Sequence, residues 1–359
     1  MLGIVLAASA ALVAPVAGLL GHRRVKQLRN AELMRIDRPN GVDEQGFVRI
    51  GAIEQWISIR GEDLDNPVLL EIHGGPGSSN SFFGPRTREW EKHFTVVRWD
   101  QRGAGRTLGR SGAEGQGELS IARLQEDAVE VTEYVRARLG VERVVLTAYS
   151  FGSVIGLRLA RRRPDLFSAY VGTDQNLHDG GRDRSAHHAL LERLHAAGKR
   201  KDLAAVEQLG TDPRTWTAEE HSTYARITAT SEPRTADALK RVVMASLWVS
   251  PLHGLRDIGV LGKGMKLSAQ LVPETAGYDD WADGTTFDLP FFVFQGDHDP
   301  YTPPVLARRF VADVHAPVKD FALIPDAGHF AAFRHPDRFL ELMLAKVRPV
   351  VTERQPAAR

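Results

Sequence analysis

The chain of 359 residues contains no cysteine. This absence excludes disulfide bonds, thiolate nucleophiles and cysteine metal sites, although it does not decide the compartment in which the protein works. An excess of charge of one sign is also missing, since 46 basic residues stand against 45 acidic ones. Four of the basic residues fall among the first thirty positions, so the remainder is slightly acidic and gives no electrostatic case for binding nucleic acid.

Charged side chains are absent from the first twenty residues, which are followed by the basic sequence GHRRVK. Because about twenty apolar residues can cross a bilayer as a helix, residues 1–21 are predicted to be an N-terminal single-pass membrane anchor. The basic cluster after the apolar run favours a cytoplasmic position for the body of the protein. The alternatives are a signal segment that is cleaved on secretion and a helix packed on the domain. A polar connector is predicted over residues 22–45.

Strand-like and helix-like segments alternate along most of the chain. Strand-like runs at 68–72, 94–99 and 290–294, with an amphipathic segment at 120–139, indicate an α/β fold in which helices flank a mostly parallel sheet. Between 176 and 286, polar amphipathic helices replace the strands. We therefore predict an α/β core formed by residues 46–175 and 287–350, with a helical lid over 176–286 inserted after its first half.

Ser150 lies at the apex of the sequence AYSFG, between a β-branched run and an apolar stripe with helical spacing. A strand, a sharp turn and a helix with serine at the turn form a nucleophile elbow, usually written G-x-S-x-G. Such a turn presents the hydroxyl at the head of a helix, where free backbone N–H groups favour negative charge. Ala148 replaces the first glycine and is small enough for strand and helix to pass closely. The alternative is an ordinary turn with an incidental serine.

A nucleophilic serine needs a base and an acid that orients the base. His329 is the candidate base, because it lies in the small-residue turn PDAGHF after a strand-like run near the C-terminus. Asp299 is the candidate acid, because GDHDP follows a strongly apolar strand, and Asp297 is its nearest rival. The order Ser150, Asp299, His329 is that of the serine–acid–histidine triad on an α/β sheet.

The oxyanion donors should be backbone N–H groups. One is expected from Phe151, the residue after the nucleophile, and the other from the glycine-rich turn HGGPG at 73–77, which follows an early strand. Glycine lets the backbone approach a substrate closely. Gly75 is the predicted donor and Gly74 the alternative, while a simple tight turn is the competing explanation of this sequence.

Five segments together resemble the α/β-hydrolase superfamily and, within it, the prolyl aminopeptidase (proline iminopeptidase) branch, peptidase family S33. They are HGGPGSS at 73–79, WDQRGAGRT at 99–107, AYSFG at 148–152, GDHD at 296–299 and AGH at 327–329. The resemblance covers about residues 45–175 and 287–350. It implies an α/β-hydrolase fold, a catalytic triad of Ser150, Asp299 and His329, and oxyanion donors Gly75 and Phe151. Asp100, Gln101 and Arg102 would then brace the HGGPG loop.

The resemblance implies a serine hydrolase that releases an N-terminal residue from small peptides through an acyl-enzyme, without a metal or organic cofactor. Prolyl aminopeptidases bind the free α-amino group through glutamates of the helical insertion, but no acidic residue of 176–286 falls in a matching motif. The acidic residues available there are Glu219, Glu220, Glu274, Asp279, Asp280 and Asp283. A carboxylesterase or amidase acting on small molecules is therefore an alternative, and a non-catalytic ligand-binding homologue is another. Substrate-binding residues and the oligomeric state stay open.

Overall fold

The computed structural model describes residues 2–181 and 184–352 of the chain. Within them the chain forms one eight-stranded sheet with the strand order β1-β2-β4-β3-β5-β6-β7-β8. β1 and β2 pair antiparallel, as do β2 and β4, and the other neighbours are parallel. The strands are β1 Val42–Ile50, β2 Ile53–Gly61, β3 Val68–Ile72, β4 Thr95–Asp100, β5 Val144–Tyr149, β6 Phe167–Thr173, β7 Phe291–Gly296 and β8 Lys319–Ile324.

Helices flank this sheet, and the predicted α/β fold class is confirmed. Helix α4 joins β5 to β6 and helix α12 joins β7 to β8, as expected where parallel strands are joined by crossover connections. The α-helices are α1 Leu2–Leu33, α2 Gly105–Ser111, α3 Ile121–Leu139, α4 Phe151–Arg162, α5 Ser185–Ala196, α6 Arg200–Leu209, α7 Ala218–Ser231, α8 Pro233–Ala238, α9 Ala245–Val249, α10 Leu255–Ser268, α11 Val272–Thr275, α12 Pro304–Asp313, α13 Ala331–Arg334, α14 Pro336–Leu342 and α15 Arg348–Thr352.

The hydrophobic core consists of two layers, one on each face of the sheet. Alternate residues of a strand enter opposite layers, because successive side chains of a strand point to opposite faces. In β5, Val144 and Leu146 join the layer under α3 and α4, whereas Val145 and Tyr149 join the layer that contains Phe339 of α14. Burial on both faces explains why the central strands are continuous apolar runs in the sequence.

Helices α5 to α11 lie in the sequence between β6 and β7. They include the segment where the sequence shows polar amphipathic helices, and they carry a small core of their own around Leu190, Leu194, Val206 and Ile227. Other helices lie between the strands that precede this insertion and between those that follow it. The predicted limits of the lid and of the connector stay predictions. Within the predicted connector, residues 22–45, helix α1 continues to Leu33 and strand β1 begins at Val42.

The prediction of a single-pass membrane anchor at the N-terminus is wrong. In the part of the chain that the structure describes, no helix combines the length and the apolar character needed to span a bilayer. The second half of α1 carries basic residues instead, and two of its polar side chains, Arg23 and Gln27, are buried against the segment 248–253. Tertiary hydrogen bonds therefore hold the second half of α1 to the segment 248–253.

Candidate active site

Ser150 joins β5 to α4 in a backbone conformation that L-residues rarely adopt, with φ 51° and ψ −123°. Such strain persists where surrounding contacts hold it. Here the Ser150 N–H donates to the carbonyl of Thr173 at 3.1 Å, and the Ser153 hydroxyl donates to the Ser150 carbonyl at 2.6 Å. Strand β5 and helix α4 pass closely at Ala148 and Gly156, because a Cβ on Gly156 would lie only 2.6 Å from that of Ala148. Both positions therefore need small residues. The turn therefore has the geometry of an elbow.

His329 and Asp299, the predicted base and acid, lie beside this serine. The Nε2 atom of His329 is 2.9 Å from the Ser150 hydroxyl, and its Nδ1 atom is 2.8 Å from Oδ2 of Asp299. His329 and Asp299 are each only 4% exposed. Because Nδ1–H donates to the carboxylate, Nε2 is left to accept the serine proton. The structure thus brings together three residues from the loops after β5, β7 and β8.

Local hydrogen bonds hold Asp299 in place. Its Oδ1 atom accepts from the backbone N–H groups of Tyr301 and Thr302, and its Oδ2 atom accepts from the Thr302 hydroxyl at 2.6 Å. The rival acid, Asp297, points elsewhere: it accepts from the backbone of Asp326 and Ala327 and pairs with His298. Asp297 therefore organises the loop below the histidine, and Asp299 faces the ring.

The HGGPG turn packs directly on the elbow. A Cβ on Gly74 would lie 2.8 Å from the Tyr149 carbonyl and 2.9 Å from Cβ of Ser150, so only glycine fits there. Gly75 has a φ of 122°, which favours glycine for conformational reasons. The turn therefore places backbone next to Ser150 and to the Phe151 N–H at the start of α4. Gly75 and Phe151 as the two oxyanion donors stay a prediction.

Of the three predicted brace residues, Gln101 bonds the turn itself and Asp100 bonds the segment that follows it. The Gln101 backbone N–H donates to Nε2 of His73 at 3.1 Å, and its side chain donates to the His73 carbonyl at 2.9 Å. The Asp100 carboxylate accepts from the Ser79 hydroxyl at 2.5 Å, just beyond the turn. Arg102 instead bonds Asp127 of α3 at 2.9 Å and the Gly51 carbonyl. It therefore fastens the next loop to α3.

Asp174 is a buried acid of this site that the sequence reasoning missed. It directly follows β6, has a φ of 49° and is 2% exposed. Its carboxylate accepts from the backbone N–H groups of Phe330 at 3.0 Å and Ala331 at 3.4 Å. One atom each of Asp174, Asp299 and His329 lie within 4.8 Å of one another. The sequence signal is slight: an acid at the end of the strand that follows the elbow helix.

The two carboxylates control the charge of the histidine. Burial opposes protonation of His329, but the negative charges of Asp299 and Asp174 outweigh it and raise the pKa of His329 to about 9. Burial raises the pKa of Asp174 to about 7, where the positive charge of His329 lowers it and the negative charge of Asp299 raises it further. Both carboxylates therefore favour the charged form of the His329 ring, and burial opposes it.

Three atoms within 4.8 Å also meet the spacing of a metal site. Both ring nitrogens of His329 are, however, already engaged, Nδ1 by Asp299 and Nε2 by Ser150. The Asp174 carboxylate is engaged by backbone N–H groups. Each of the three side chains therefore already has hydrogen-bond partners in the structure.

Three acidic residues of the helical insertion, Glu220, Glu274 and Asp280, have structural partners. Glu220 closes a capping box with Thr217 at the start of α7, and Glu274 accepts from the Ile121 N–H at the start of α3. Asp280 is fully buried and accepts from the His178 backbone N–H, and it pairs with Arg158. In the described structure these three carboxylates serve as helix caps and ion-pair partners.

The chain is similar to known hydrolases and aminopeptidases. Residues 67–205 match the family described as the alpha/beta hydrolase fold. A protein named as a probable aminopeptidase, YbaC of Bacillus subtilis strain 168, is 25% identical over 305 residues, which is 83% of this chain and 94% of that protein. A protein named as a probable proline iminopeptidase of Streptomyces coelicolor is 37% identical over 110 residues, 28% of this chain and 31% of that protein.

Solved structures agree on the fold. A proline iminopeptidase-related protein from Thermus thermophilus superposes with a TM-score of 0.58 at 23% identity, covering 86% of this chain and 99% of the other. At this identity the similarity concerns the fold, and it confirms the predicted architecture of a mostly parallel sheet flanked by helices.

Proposed function

We propose that the chain is a hydrolase of the α/β-hydrolase superfamily that cleaves an amide or ester through an acyl-enzyme on Ser150. Relatives named as a probable aminopeptidase and a probable proline iminopeptidase support the prolyl aminopeptidase-like branch. One observation carries the proposal: the chain of hydrogen bonds from the Ser150 hydroxyl to His329 at 2.9 Å and from His329 to Asp299 at 2.8 Å. This is the arrangement that lets a histidine take a serine proton.

In the proposed reaction, neutral His329 accepts the proton as the Ser150 oxygen attacks the substrate carbonyl. Backbone N–H groups of Gly75 and Phe151 stabilise the oxyanion that develops. Asp299 keeps the imidazole in the required tautomer and stabilises the imidazolium that forms. His329 then protonates the leaving group, and water repeats the sequence on the acyl-enzyme, which restores Ser150. Buried surroundings strengthen each of these electrostatic interactions.

Release of an N-terminal residue from a small peptide is the proposed activity, and the names of the aminopeptidase relatives support it. A general esterase or amidase is the second candidate. It is favoured by one observation, the engagement of Glu220, Glu274 and Asp280 in caps and ion pairs, because these acids are then less available to a substrate ammonium group. Both candidates share the same three-residue machinery.

Covalent labelling by a fluorophosphonate tests the nucleophile. We expect the wild-type protein to be labelled, Ser150→Ala to lose all labelling, and the exposed α7 variant Ser222→Ala to label normally. Absence of labelling in the folded wild type would instead identify a non-catalytic member of the fold. Undiminished labelling of Ser150→Ala would assign the reactive hydroxyl to another residue.

Hydrolysis rates separate the two candidates. Proline p-nitroanilide reports aminopeptidase activity and p-nitrophenyl acetate reports esterase activity, with Ser150→Ala as the blank for each. Hydrolysis of both substrates supports the aminopeptidase proposal. Activity confined to the ester would remove it and leave the esterase.

A further inference from the structure

The helical insertion contacts the loop that carries His329, the proposed base. This histidine loop, residues 325–329, follows β8, and helix α8 of the insertion lies against it. None of the groups named in the proposed reaction belongs to α8. A contact from this helix therefore adds a new element to the site.

Thr235 of α8 makes the central contact. Its hydroxyl oxygen accepts from the His329 backbone N–H at 3.0 Å, and the side chain is fully buried. The next backbone N–H, that of Phe330, donates to Asp174 at 3.0 Å. Two consecutive backbone groups at the histidine are therefore held from two directions, one by the insertion and the other by the core.

The histidine loop packs against α8 without room for a further side chain. A Cβ on Gly328 would lie 2.3 Å from the Thr235 hydroxyl oxygen and 2.9 Å from Oε2 of Glu232. On the opposite side, a Cβ on Gly296 at the end of β7 would lie 2.4 Å from the Gly328 carbonyl oxygen. Gly328 is thus enclosed between β7 and α8, so a displacement of α8 would remove one wall of the histidine loop.

The start of α8 fixes the position of Thr235. Glu232 is the N-cap residue of this helix, and its Oε2 atom accepts from the Thr235 backbone N–H at 2.7 Å. Pro233 occupies the first helical position, where its fixed φ suits the helix. Such a cap satisfies an N–H group that the first turn leaves free. The Thr235 hydroxyl is therefore presented by a capped helix start.

The insertion also contacts the loop that carries the proposed acid. The Tyr301 hydroxyl donates to the Ala225 carbonyl of α7 at 2.7 Å, and the Tyr301 backbone N–H donates to Oδ1 of Asp299 at 2.9 Å. Helix α7 ends at Ser231, directly before the N-cap of α8. Adjacent helices of the insertion thus contact the loops of both the base and the acid.

An exposed ion pair accompanies the Thr235 contact. Nε of Arg234 is 2.6 Å from Oδ1 of Asp326 in the histidine loop, and both side chains are exposed. Exposed ion pairs contribute little to stability, because water and salt screen them. A buried backbone N–H without a partner is costly by comparison. The Thr235 hydroxyl is therefore the contact on which the position of His329 depends more strongly.

We propose that Thr235 is a positioning residue that keeps Nε2 of His329 within reach of the Ser150 hydroxyl, so that catalysis depends on the docking of α8 against the histidine loop. The inference rests on the proposed function and extends it to the helical insertion. Without the Thr235 hydroxyl, the buried His329 N–H must find another partner, and the ring moves with its backbone. Catalysis responds steeply to such shifts, since a misplacement of about 1 Å can cost roughly a hundredfold in rate.

The rate of fluorophosphonate labelling tests the inference, because it separates positioning from folding. The final labelled fraction counts the folded sites, whereas the rate constant reports how readily His329 activates Ser150. We expect Thr235→Val to reach the labelled fraction of the wild type about tenfold more slowly. In p-nitrophenyl acetate hydrolysis, kcat should fall likewise while KM stays unchanged, since Thr235 is fully buried and offers the substrate no surface.

Three further variants assign the effect to the hydroxyl at position 235. Thr235→Ser keeps this hydroxyl and should be labelled at close to the wild-type rate. Thr235→Ala removes it without adding a methyl group and should be slowed like Thr235→Val, so either variant serves as the test if the other does not fold. Thr228→Val in α7 is the matched control. Thr228 is also buried, but its hydroxyl has no hydrogen-bond partner among the described residues, so the labelling rate should stay unchanged.

The outcomes separate this inference from the proposed function. An unchanged labelling rate without the Thr235 hydroxyl would overturn the inference, and so would a smaller labelled fraction at the wild-type rate, which describes a structural role alone. It would also be overturned if Thr235→Ser or Thr228→Val were slowed as much as Thr235→Val. In each of these cases the labelled wild type leaves the proposed nucleophile in place. Absence of labelling in the wild type would overturn the proposed function and the positioning role with it.

Discussion

In the proposed mechanism, the charge on His329 sets the pH at which Ser150 can be activated. Asp299 and Asp174 together raise the pKa of the ring to about 9 against the effect of burial. A general base must be neutral, so the active fraction grows as pH rises through this value. We expect kcat/KM for p-nitrophenyl acetate to rise about tenfold per pH unit below pH 9 and to level off above it. A profile that is already flat between about pH 6 and 8 would contradict this pKa.

Replacing Asp174 should move that profile toward acid. Asp174→Asn removes a negative charge that stabilises the imidazolium, so the pKa of His329 falls and the neutral base appears at lower pH. An opposite charge at this range is worth roughly one to three pH units. We expect the rising limb to shift down by about one unit, so that relative activity near neutral pH increases.

The shift distinguishes an electrostatic role from a structural one. Loss of the hydrogen bonds to Phe330 and Ala331 alone would lower kcat at every pH without moving the limb. Tyr149 and Tyr301, the other titratable rings nearby, stay neutral because burial raises the pKa of each. Asp165→Asn, at the opposite end of β6, removes an exposed carboxylate and serves as the control.

The sequence reveals residues of this site only where they belong to a local pattern. Ser150, Asp299 and His329 each follow an apolar run and lie among small residues, so each could be found separately. Asp174 also follows a strand, but the same description suits many acids. Its nearness to His329 depends on β6 lying between β5 and β7 in the sheet, which is a property of the topology.

At the scale of elements, the insertion and the HGGPG turn meet through glycines. A Cβ on Gly264 of α10 would lie 2.6 Å from the Gly77 carbonyl and 3.0 Å from the Gly103 carbonyl. Backbone therefore packs on backbone, and α10 rests on the turn that is proposed to stabilise the oxyanion. Any side chain at position 264 must displace the Gly77 carbonyl or the Gly103 carbonyl.

Gly264→Ala should consequently impair the reaction. Displacing the oxyanion turn by a few tenths of an ångström should lower kcat roughly tenfold, because catalysis depends steeply on such positions. Gly262→Ala in the same helix is the control, since a Cβ there meets nothing within 4 Å. It should leave kcat unchanged and stabilise the helix by about 0.5 kcal/mol. Equal kcat values in the two variants would show that α10 does not position the turn.

Most strand limits can be predicted from the sequence, whereas the helical conformation of α10 cannot. The buried strands are apolar on both faces, so β3 coincides with its predicted run at 68–72 and β4 differs from its run by one residue. Helix α10 contains Gly259, Gly262 and Gly264, and glycine is among the poorest helix formers. Its stability comes from close packing on two loops, which no local pattern reveals.

The whole molecule explains why the prediction for the N-terminus is wrong. That prediction rests on hydropathy alone, but α1 continues to Leu33 and its second half is fastened to the fold. Arg23, Gln27 and Asn30 lie on one face of the helix, and each donates to a carbonyl within residues 248–253. Hydropathy cannot register these tertiary contacts.

The hydrogen bonds of α1 continue through other side chains to the candidate active site. His253, whose carbonyl accepts from Arg23, is buried and bonds Ser250 through Nδ1 at 2.8 Å and Ser81 through Nε2 at 3.3 Å. Ser81 in turn contacts Ser79, which donates to Asp100 below the HGGPG turn. A continuous set of hydrogen bonds thus joins α1, the helical insertion and the oxyanion side of the site.

Removing the first contact of this set should therefore destabilise the fold. Arg23 is 8% exposed, donates to the carbonyls of Trp248 at 2.9 Å and His253 at 2.8 Å, and lies over the Trp248 ring. Hydrogen bonds from charged groups contribute about 1.5–3 kcal/mol, so Arg23→Ala should lower the free energy of unfolding by about 2 kcal/mol in urea titrations. The exposed neighbour Arg24→Ala should change it by less than about 0.5 kcal/mol. If both variants unfold at the wild-type midpoint, the contacts of Arg23 contribute nothing measurable to the stability of the fold.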